Sequence, residues 1–213
     1  MRVCEIFHSL QGEGLDTGLP TVFVRAVGCN LRCVWCDTKY AYGGGSEWGL
    51  DRLEKRISSY KCRRVCLTGG EPLLQPDAPA LISLLLGDGY SVSVETNGSL
   101  PAKEIIALDQ GGRLRISMDV KCPSSKMEGN MMLPNMTVLR EADQVKFVLR
   151  DMKDYEHARA VLKSHPTRAA VIFQPVWGRR PDRFAEAVLR DGLDVRVLVQ
   201  LHKIIWGAGT KGK

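Results

Sequence analysis

Short runs of β-branched residues alternate with helical stretches along this chain of 213 residues, and this alternation constrains the fold most strongly. Short apolar runs bounded by turn residues predict strands, and apolar residues spaced three or four apart predict helices. Strands are predicted at 3–8, 21–27, 64–68, 91–95, 114–119, 144–149, 169–175 and 195–201. Helices are predicted at 50–60, 78–86, 102–108, 154–164 and 182–190. Strands that alternate with helices form parallel sheets with crossover connections, so the pattern predicts an α/β protein.

The length of the chain favours one architecture among those built from such units. A closed barrel of eight strand–helix units takes about 250 residues, whereas this chain has about six units after Thr21. We therefore expect an incomplete, open barrel of the TIM type, with mainly parallel strands and an extra N-terminal strand. The sequence has no internal repeat and no low-complexity linker, which predicts a single domain over residues 1–213. Its core is expected at about 19–203, and a flexible tail at about 207–213.

Composition and charge exclude few functions. The chain is 44% hydrophobic and 25% charged, as is usual for a soluble globular protein. No apolar run approaches the roughly 20 residues that span a bilayer, and the N-terminal segment lacks the apolar core of a secretory signal. We therefore expect a cytoplasmic protein with reduced thiols and no membrane partner. The net charge of +6 suits anionic partners, but direct binding of nucleic acid is not expected.

Three of the seven cysteines, Cys29, Cys33 and Cys36, lie within eight residues of one another, directly after the second predicted strand. A [4Fe–4S] cluster is normally held by four thiolates, so three thiols would leave one iron open to a small molecule. Trp35, just before the third cysteine, could shield such a cluster. The same spacing also fits buried cysteines, or a zinc loop that is completed by His8, Asp37 or Cys4. Spacing alone does not decide between these sites.

Further polar motifs follow the predicted strands at their carboxyl ends, where α/β folds place their chemistry. They are TGGEP at 68–72, ETNG at 95–98, SMDVK at 117–121 and FQP at 173–175. Together with the cysteines, these motifs predict one site at the carboxyl edge of the sheet.

The cysteine triplet followed by Gly-Gly-Glu-Pro at 69–72 resembles the radical S-adenosylmethionine superfamily. The resemblance implies that the three cysteines bind a [4Fe–4S] cluster whose open iron chelates S-adenosylmethionine, with electrons from a donor such as flavodoxin or ferredoxin. Many relatives have Ser-Pro-Lys where this chain has Ser-Met-Asp-Val-Lys, at 117–121. The cofactor contacts that the resemblance implies are Trp35, Cys36, Asp37, Gly70, Glu95, Ser117, Asp119, Lys121 and Gln174.

Four more motifs resemble the 7-carboxy-7-deazaguanine synthase family: SLQGEG at 9–14, Arg25, CDT at 36–38 and QLHK at 200–203. These lyases contract 6-carboxy-5,6,7,8-tetrahydropterin to 7-carboxy-7-deazaguanine with loss of ammonia, as a step towards the tRNA bases queuosine or archaeosine. The resemblance implies a homodimer and a Mg²⁺ ion at Thr38, and no catalytic general acid or base is evident in the sequence. The implied substrate contacts are Leu10, Gln11, Gly12, Glu13, Arg25, Thr68, His202 and Lys203. The fork of Arg25 suits a carboxylate, and Glu13 suits the 2-amino edge of a pterin.

Two other functions remain open at this point. A glycyl-radical-enzyme activating enzyme also combines a cysteine triplet with a small open barrel, but it does not call for the SLQGEG or QLHK motif. A zinc-stabilised RNA-binding module would account for the charge of +6. Such a module would contain one zinc ion and neither iron nor sulfide.

Overall fold

Residues 1–212 are described by a computed structural model, in which helices cover one mixed sheet. The strands are β1 (Arg2–Leu10), β2 (Pro20–Ala26), β3 (Ser46–Glu47), β4 (Arg64–Gly69), β5 (Ser91–Thr96), β6 (Leu114–Val120), β7 (Gln144–Leu149), β8 (Ala170–Pro175) and β9 (Arg196–Val197). The helices are α1 (Leu50–Ser58), α2 (Ala78–Gly87), α3 (Lys103–Ile106), α4 (Asn135–Val138), α5 (Met152–Ser164), α6 (Pro181–Asp191) and α7 (Leu201–Trp206). Short 3-10 turns lie at Lys39–Tyr42, Pro72–Leu74, Pro123–Ser125 and Glu128–Asn130.

The strands follow the order β3-β1-β2-β4-β5-β6-β7-β8-β9, with β3 and β9 at the two edges. Strand β2 and all strands from β4 to β9 pair in parallel, each with its neighbour. Strand β1 pairs antiparallel with both β2 and β3. The predicted fold is confirmed: the chain forms an open, mainly parallel barrel with an added N-terminal strand.

Aromatic side chains of the central strands pack against α5, on the outer side of the sheet. The rings of Phe147 on β7 and Phe173 on β8 lie 5.7 Å apart, and the ring of Tyr155 on α5 lies 5.6 Å from Phe173, both edge-to-face. Each such buried side chain stabilises the fold by about 1.5–3 kcal/mol. Because side chains alternate along a strand, the neighbouring Lys146 and Gln174 point to the opposite side.

The structure corrects several predicted boundaries. The strand predicted at 195–201 is wrong for most of its length, since only Arg196 and Val197 pair with β8 and α7 begins at Leu201. A backbone hydrogen bond from Leu201 N to Gly12 O (2.9 Å) holds this segment against the loop after β1. Helix α3 is one turn rather than the predicted 102–108, and the single turn α4 was not predicted. Within residues 1–212, no helix is long and apolar enough to cross a membrane.

Candidate active site

A cavity of about 680 Å³ lies at the carboxyl ends of the parallel strands, within the range of about 300–1,000 Å³ that is usual for ligand sites. All but one of the residues predicted to bind cluster, cofactor, magnesium or substrate line it: Leu10, Gln11, Gly12, Glu13, Arg25, Cys29, Cys33, Trp35, Cys36, Asp37, Thr38, Thr68, Gly70, Glu95, Asp119, Lys121, Gln174, His202 and Lys203. The other, Ser117, is buried beside this lining. Its hydroxyl donates to Glu95 Oε2 (2.8 Å) and accepts from Gln144 Nε2 (2.7 Å).

The cysteine loop after β2 packs against the turn after β4. Gly70 N donates to Ala26 O (3.2 Å), and Glu71 N donates to Gly28 O (2.7 Å). A Cβ atom at Gly70 would collide with the carbonyl oxygen of Gly28. Glycine is therefore required at this position so that the two backbones can approach each other.

Glu71 connects that turn to the turn after β5. Its carboxylate is fully buried and accepts hydrogen bonds from Leu73 N (3.0 Å), Thr96 Oγ1 (2.9 Å) and Asn97 N (2.6 Å). Burial raises the pKa of Glu71, although the three donors oppose this shift. The amide of Asn97 in turn donates to Cys29 Sγ (3.7 Å). These hydrogen bonds, which were not predicted from the sequence, connect Glu71 through Asn97 to the thiol of Cys29.

The three cysteines fit an iron–sulfur cluster better than a single zinc ion. Cys29, Cys33 and Cys36 all line the cavity and are free thiols. Within residues 1–212, no three His, Cys, Asp or Glu side chains converge on one point as a single ion requires. Zinc needs its ligands around one centre, whereas a cluster takes one thiolate at each of several irons. His8, a candidate zinc ligand, packs instead against the ring of Tyr60 at 5.9 Å.

Two buried oxygens at the ends of β6 and β8 suit a ligand that carries hydrogen-bond donors. Asp119 Oδ1 and Gln174 Oε1 accept no hydrogen bond from any residue that the structure describes. Buried polar atoms are normally paired, so hydroxyl or amino groups such as those of S-adenosylmethionine would satisfy them. Lys121 Nζ lies beside them, 2.6 Å from Asp119 Oδ2 and 5.8 Å from the centre of the Trp35 ring.

The QLHK segment joins the loop after β1 to the cysteine loop. Gln200 Nε2 donates to Glu13 Oε1 (2.7 Å), and Gln200 Oε1 accepts from Lys203 Nζ (3.0 Å). Lys203 Nζ also donates to Asp37 Oδ2 (2.5 Å). Three motifs that lie far apart in the sequence therefore form one wall of the cavity.

The loop Gln11–Gly12 packs tightly against α7. A Cβ atom at Gly12 would collide with the imidazole of His202, so the ring can take this position only beside glycine. Gln11 Oε1 accepts from Gly12 N (2.9 Å) and from Glu13 N (3.3 Å). The side-chain oxygen of Gln11 thus fixes the conformation of this loop, whose residues line the cavity. Burial lowers the pKa of His202 and favours the neutral imidazole.

Arg25 is held in place by residues that no sequence motif indicated. Arg25 Nε donates to Glu5 Oε1 (2.7 Å), and the hydroxyl of Tyr40 donates to the same oxygen (2.9 Å). The guanidinium lies 5.8 Å from the ring centre of Phe7 and 5.9 Å from that of Tyr40. Arg25 donates to Glu5 through Nε, so its two terminal nitrogens can still form a pair of hydrogen bonds to another carboxylate.

Thr38 precedes the 3-10 turn Lys39–Tyr42 but does not cap it with its side chain. Its hydroxyl instead donates to Asp37 Oδ1 (2.9 Å). The oxygen lone pairs stay available within the cavity, as a hard ligand for Mg²⁺ must.

Lys146 is a further charged residue in the cavity that was not predicted from the sequence. Its ammonium lies 2.5 Å from Glu13 Oε2. Burial by itself would raise the pKa of Glu13, but Lys146 and the hydrogen bond from Gln200 hold that pKa well below its ordinary value. Glu13 is therefore ionised and can act only as an acceptor.

Residues 208–212 line the outer part of the cavity. Lys211 Nζ lies 4.5 Å from the ring centre of Tyr40, within the range of a cation–π interaction. The flexibility of the tail at 207–213 stays a prediction, and Lys213 lies outside the described residues.

Known proteins resemble this chain in sequence. Residues 23–162 match the family model of the Radical SAM superfamily. The chain is 42% identical to the 7-carboxy-7-deazaguanine synthase of Thermoplasma acidophilum, over 97% of this chain and 98% of that protein. It is also 42% identical to the enzyme of that name from Methanospirillum hungatei, over 96% of this chain and 85% of that protein.

Two solved structures share the fold. Escherichia coli QueE has a TM-score of 0.76 at 22% identity, with 94% of both chains covered. SuiB of Streptococcus suis, solved with S-adenosylmethionine bound, has a TM-score of 0.60 at 10% identity, with 83% of this chain and 46% of that chain covered. The fold is thus shared with these two proteins, whereas the full-length relatives and the family model show that this chain belongs to the 7-carboxy-7-deazaguanine synthase family of the radical S-adenosylmethionine superfamily.

Proposed function

We propose that this protein is a lyase that contracts 6-carboxy-5,6,7,8-tetrahydropterin to 7-carboxy-7-deazaguanine, with loss of ammonia. The observation that carries the proposal is the single cavity on which the cysteine triplet, SLQGEG, CDT and QLHK meet. Residues 1–213 act as one domain for this purpose. The product would enter the synthesis of a 7-deazapurine tRNA base, queuosine or archaeosine.

The cysteine side of the cavity would hold the cofactors. Cys29, Cys33 and Cys36 suit a [4Fe–4S] cluster, and the unsatisfied oxygens of Asp119 and Gln174 suit S-adenosylmethionine beside it. The cluster and S-adenosylmethionine, when bound, supply the radical that takes a hydrogen atom from the substrate. Trp35, Asp37, Gly70, Glu95 and Lys121 line the same region, where they would fix the cofactor and keep water away.

Arg25 on β2, the loop after β1 and the QLHK segment would bind the pterin. Arg25 is held from behind by Glu5, so its terminal nitrogens can bind the substrate carboxylate. Thr38 would hold a Mg²⁺ ion, and Lys203 fixes the neighbouring Asp37. The ionised Glu13 would accept from the 2-amino edge of the ring.

Leu10, Gln11, Gly12, Thr68 and His202 would complete the contact with the pterin. Gly12 and His202 pack against each other, so they define the shape of the pocket together. Ser117 would act indirectly, because its hydroxyl donates to Glu95 within the fold.

The partners follow from the same proposal. A one-electron donor such as flavodoxin or ferredoxin would reduce the cluster, and the protein would work in the cytoplasm, where thiols stay reduced. We also propose a homodimer. Val199, Ile204 and Ile205 support it, because they are exposed apolar side chains within a short segment and apolar surface patches often mark interfaces.

The proposal is tested by anaerobic reconstitution with iron and sulfide, followed by incubation with S-adenosylmethionine, dithionite, Mg²⁺ and the carboxy-tetrahydropterin. We expect 7-carboxy-7-deazaguanine by mass spectrometry from the wild type and from Cys62→Ala, a control outside the cavity. Cys33→Ala should give none. Formation of 5′-deoxyadenosine without deazaguanine would indicate another radical enzyme, such as an activating enzyme. Purified protein with one zinc ion and neither iron nor sulfide would indicate the zinc-stabilised module.

A further inference from the structure

Lys146 is a buried cation that lines the cavity. Strand β7 is buried along its whole length, and the side chain of Lys146 is only 5% exposed. It projects from the side of the strand opposite Phe147, which packs against Phe173. A lysine in such a position loses most of its hydration, so its charge needs compensation from nearby groups.

Three carboxylates surround this ammonium, and each comes from a different element. Lys146 Nζ lies 2.5 Å from Glu13 Oε2, 3.3 Å from Glu95 Oε2 and 3.3 Å from Asp119 Oδ1, the last as a charge contact without a hydrogen bond. Glu13 belongs to the loop after β1, whereas Glu95 and Asp119 lie near the ends of β5 and β6. In the proposed function, the first carboxylate would contact the substrate and the other two the cofactor.

Lys146 is one of two cations that face the three carboxylates of this cluster. Asp119 has a second cation, because Lys121 Nζ lies 2.6 Å from its other oxygen. Glu13 and Glu95 have no other salt-bridge partner among the described residues; Gln200 and Ser117 donate neutral hydrogen bonds to them. Without Lys146, two buried carboxylates would face each other without a cation. Such a pair avoids the cost of burial by taking up a proton or by moving apart.

We propose that Lys146 is a positioning residue for the reaction, which joins the substrate-side carboxylate Glu13 to the cofactor-side carboxylates Glu95 and Asp119. One buried ammonium thereby sets the geometry of both halves of the cavity. The inference rests on the proposed function for the identity of the substrate. It predicts that loss of Lys146 weakens the binding of the pterin and of S-adenosylmethionine together, although Lys146 need not touch either.

Lys146→Met tests this proposal, with Lys163→Met on the exposed face of α5 as the matched control. The KM for the pterin, the kcat, the Kd for S-adenosylmethionine and the ratio of 5′-deoxyadenosine to product are measured on reconstituted enzyme. We expect Lys146→Met to raise the KM about tenfold and the Kd about threefold, and to release 5′-deoxyadenosine in excess over product. The control should match the wild type.

A double-mutant cycle shows whether Lys146 acts through Glu13. If it does, Lys146→Met/Glu13→Gln should have about the same pterin KM as the worse single variant. Effects that multiply would show that the two residues act independently, and would overturn the proposal. An unchanged KM and Kd in Lys146→Met, with only a lower unfolding midpoint, would also overturn it.

A charge-balanced variant covers the case in which Lys146→Met does not fold. Lys146→Met/Glu95→Gln removes one cation and one anion and is compared with Glu95→Gln alone. It should fold and still show the raised pterin KM; if it is also unfolded, Lys146 serves the fold only and the proposal is wrong. Wild-type turnover of the pterin is measured first. Its absence would reject the proposed function, whereas the Kd for S-adenosylmethionine would still test Lys146.

Discussion

Replacement of Glu71 by glutamine should both destabilise the fold and impair assembly of the cluster. In the wild type, one carboxylate oxygen accepts from Leu73 N and Thr96 Oγ1, and the other accepts from Asn97 N at 2.6 Å. Glutamine can keep the first two bonds through its carbonyl oxygen. Its NH₂ group then faces the N–H of Asn97, so two buried donors meet and neither has an acceptor.

The expected magnitude follows from these contacts. A hydrogen bond to a charged group contributes about 1.5–3 kcal/mol, and a buried donor without a partner costs about 1–3 kcal/mol. Against this loss, a neutral amide avoids the burial of charge that raises the pKa of Glu71. We therefore expect the free energy of unfolding to fall by about 1–3 kcal/mol. With a urea m-value of about 2 kcal/mol/M, the midpoint should fall by about 1 M.

Two measurements check this prediction. Urea unfolding of the reduced protein without its cluster gives the midpoint, and the iron-to-protein ratio after reconstitution reports on Cys29, which Asn97 contacts. Glu141→Gln is the control, because Glu141 is exposed and surface changes usually stay within about 0.5 kcal/mol. If Glu71→Gln matched this control in midpoint and bound as much iron as the wild type, Glu71 would not be the support of the cysteine loop, and the reasoning from its three hydrogen bonds would be refuted.

Three further changes test the substrate side of the cavity. Gly12→Ala places a methyl group against the His202 ring. It should lower the free energy of unfolding, measured by urea titration, by about 1–3 kcal/mol. It should also reduce kcat/KM for the pterin. Arg25→Lys keeps the charge but loses the fork, so we expect the pterin KM to rise about tenfold without a change in the Kd for S-adenosylmethionine. Lys146 holds the pKa of Glu13 below its unfolded value of 4.5, so Glu13 stabilises the fold above pH 4.5 and loses this effect as the pH falls through the folded pKa. The wild type should therefore exceed Glu13→Gln in urea midpoint at pH 7, with a difference that shrinks below pH 4.5; a constant difference would contradict the ion pair.

The sequence predicted the elements whose signals are local. Alternating strands and helices predicted the open parallel barrel, and the cysteine triplet with Gly-Gly-Glu-Pro placed the site at the strand ends. The strand predicted at 195–201 is too long, because a contact between distant segments, and not local preference, sets where it ends. The contact of Leu201 with Gly12 allows α7 to begin where the β-branched pattern would have continued the strand.

Contacts between distant residues could not be predicted in the same way. Glu13 and Lys146 are 133 positions apart, and nothing local in either segment indicates the other. A signal was nevertheless present, since QVKFVL places a lysine inside a strand that is otherwise mostly apolar. In a parallel barrel, such a lysine faces the interior, where it loses most of its hydration and requires carboxylates that balance its charge. The pattern thus predicts a charged interior, but not which acids supply it.

The QLHK segment connects two of the other motifs through side-chain hydrogen bonds. Gln200 binds Glu13 of the first loop, and Lys203 binds Asp37 of the cysteine loop, directly before Thr38. Glu13 in turn contacts Lys146, which reaches Asp119 on the cofactor side. An unbroken series of charged and polar contacts therefore joins the residue expected to bind Mg²⁺ to those expected to bind the cofactor. In the buried part of this network, the loss of one member leaves a polar partner unsatisfied, so its effects should extend across the cavity.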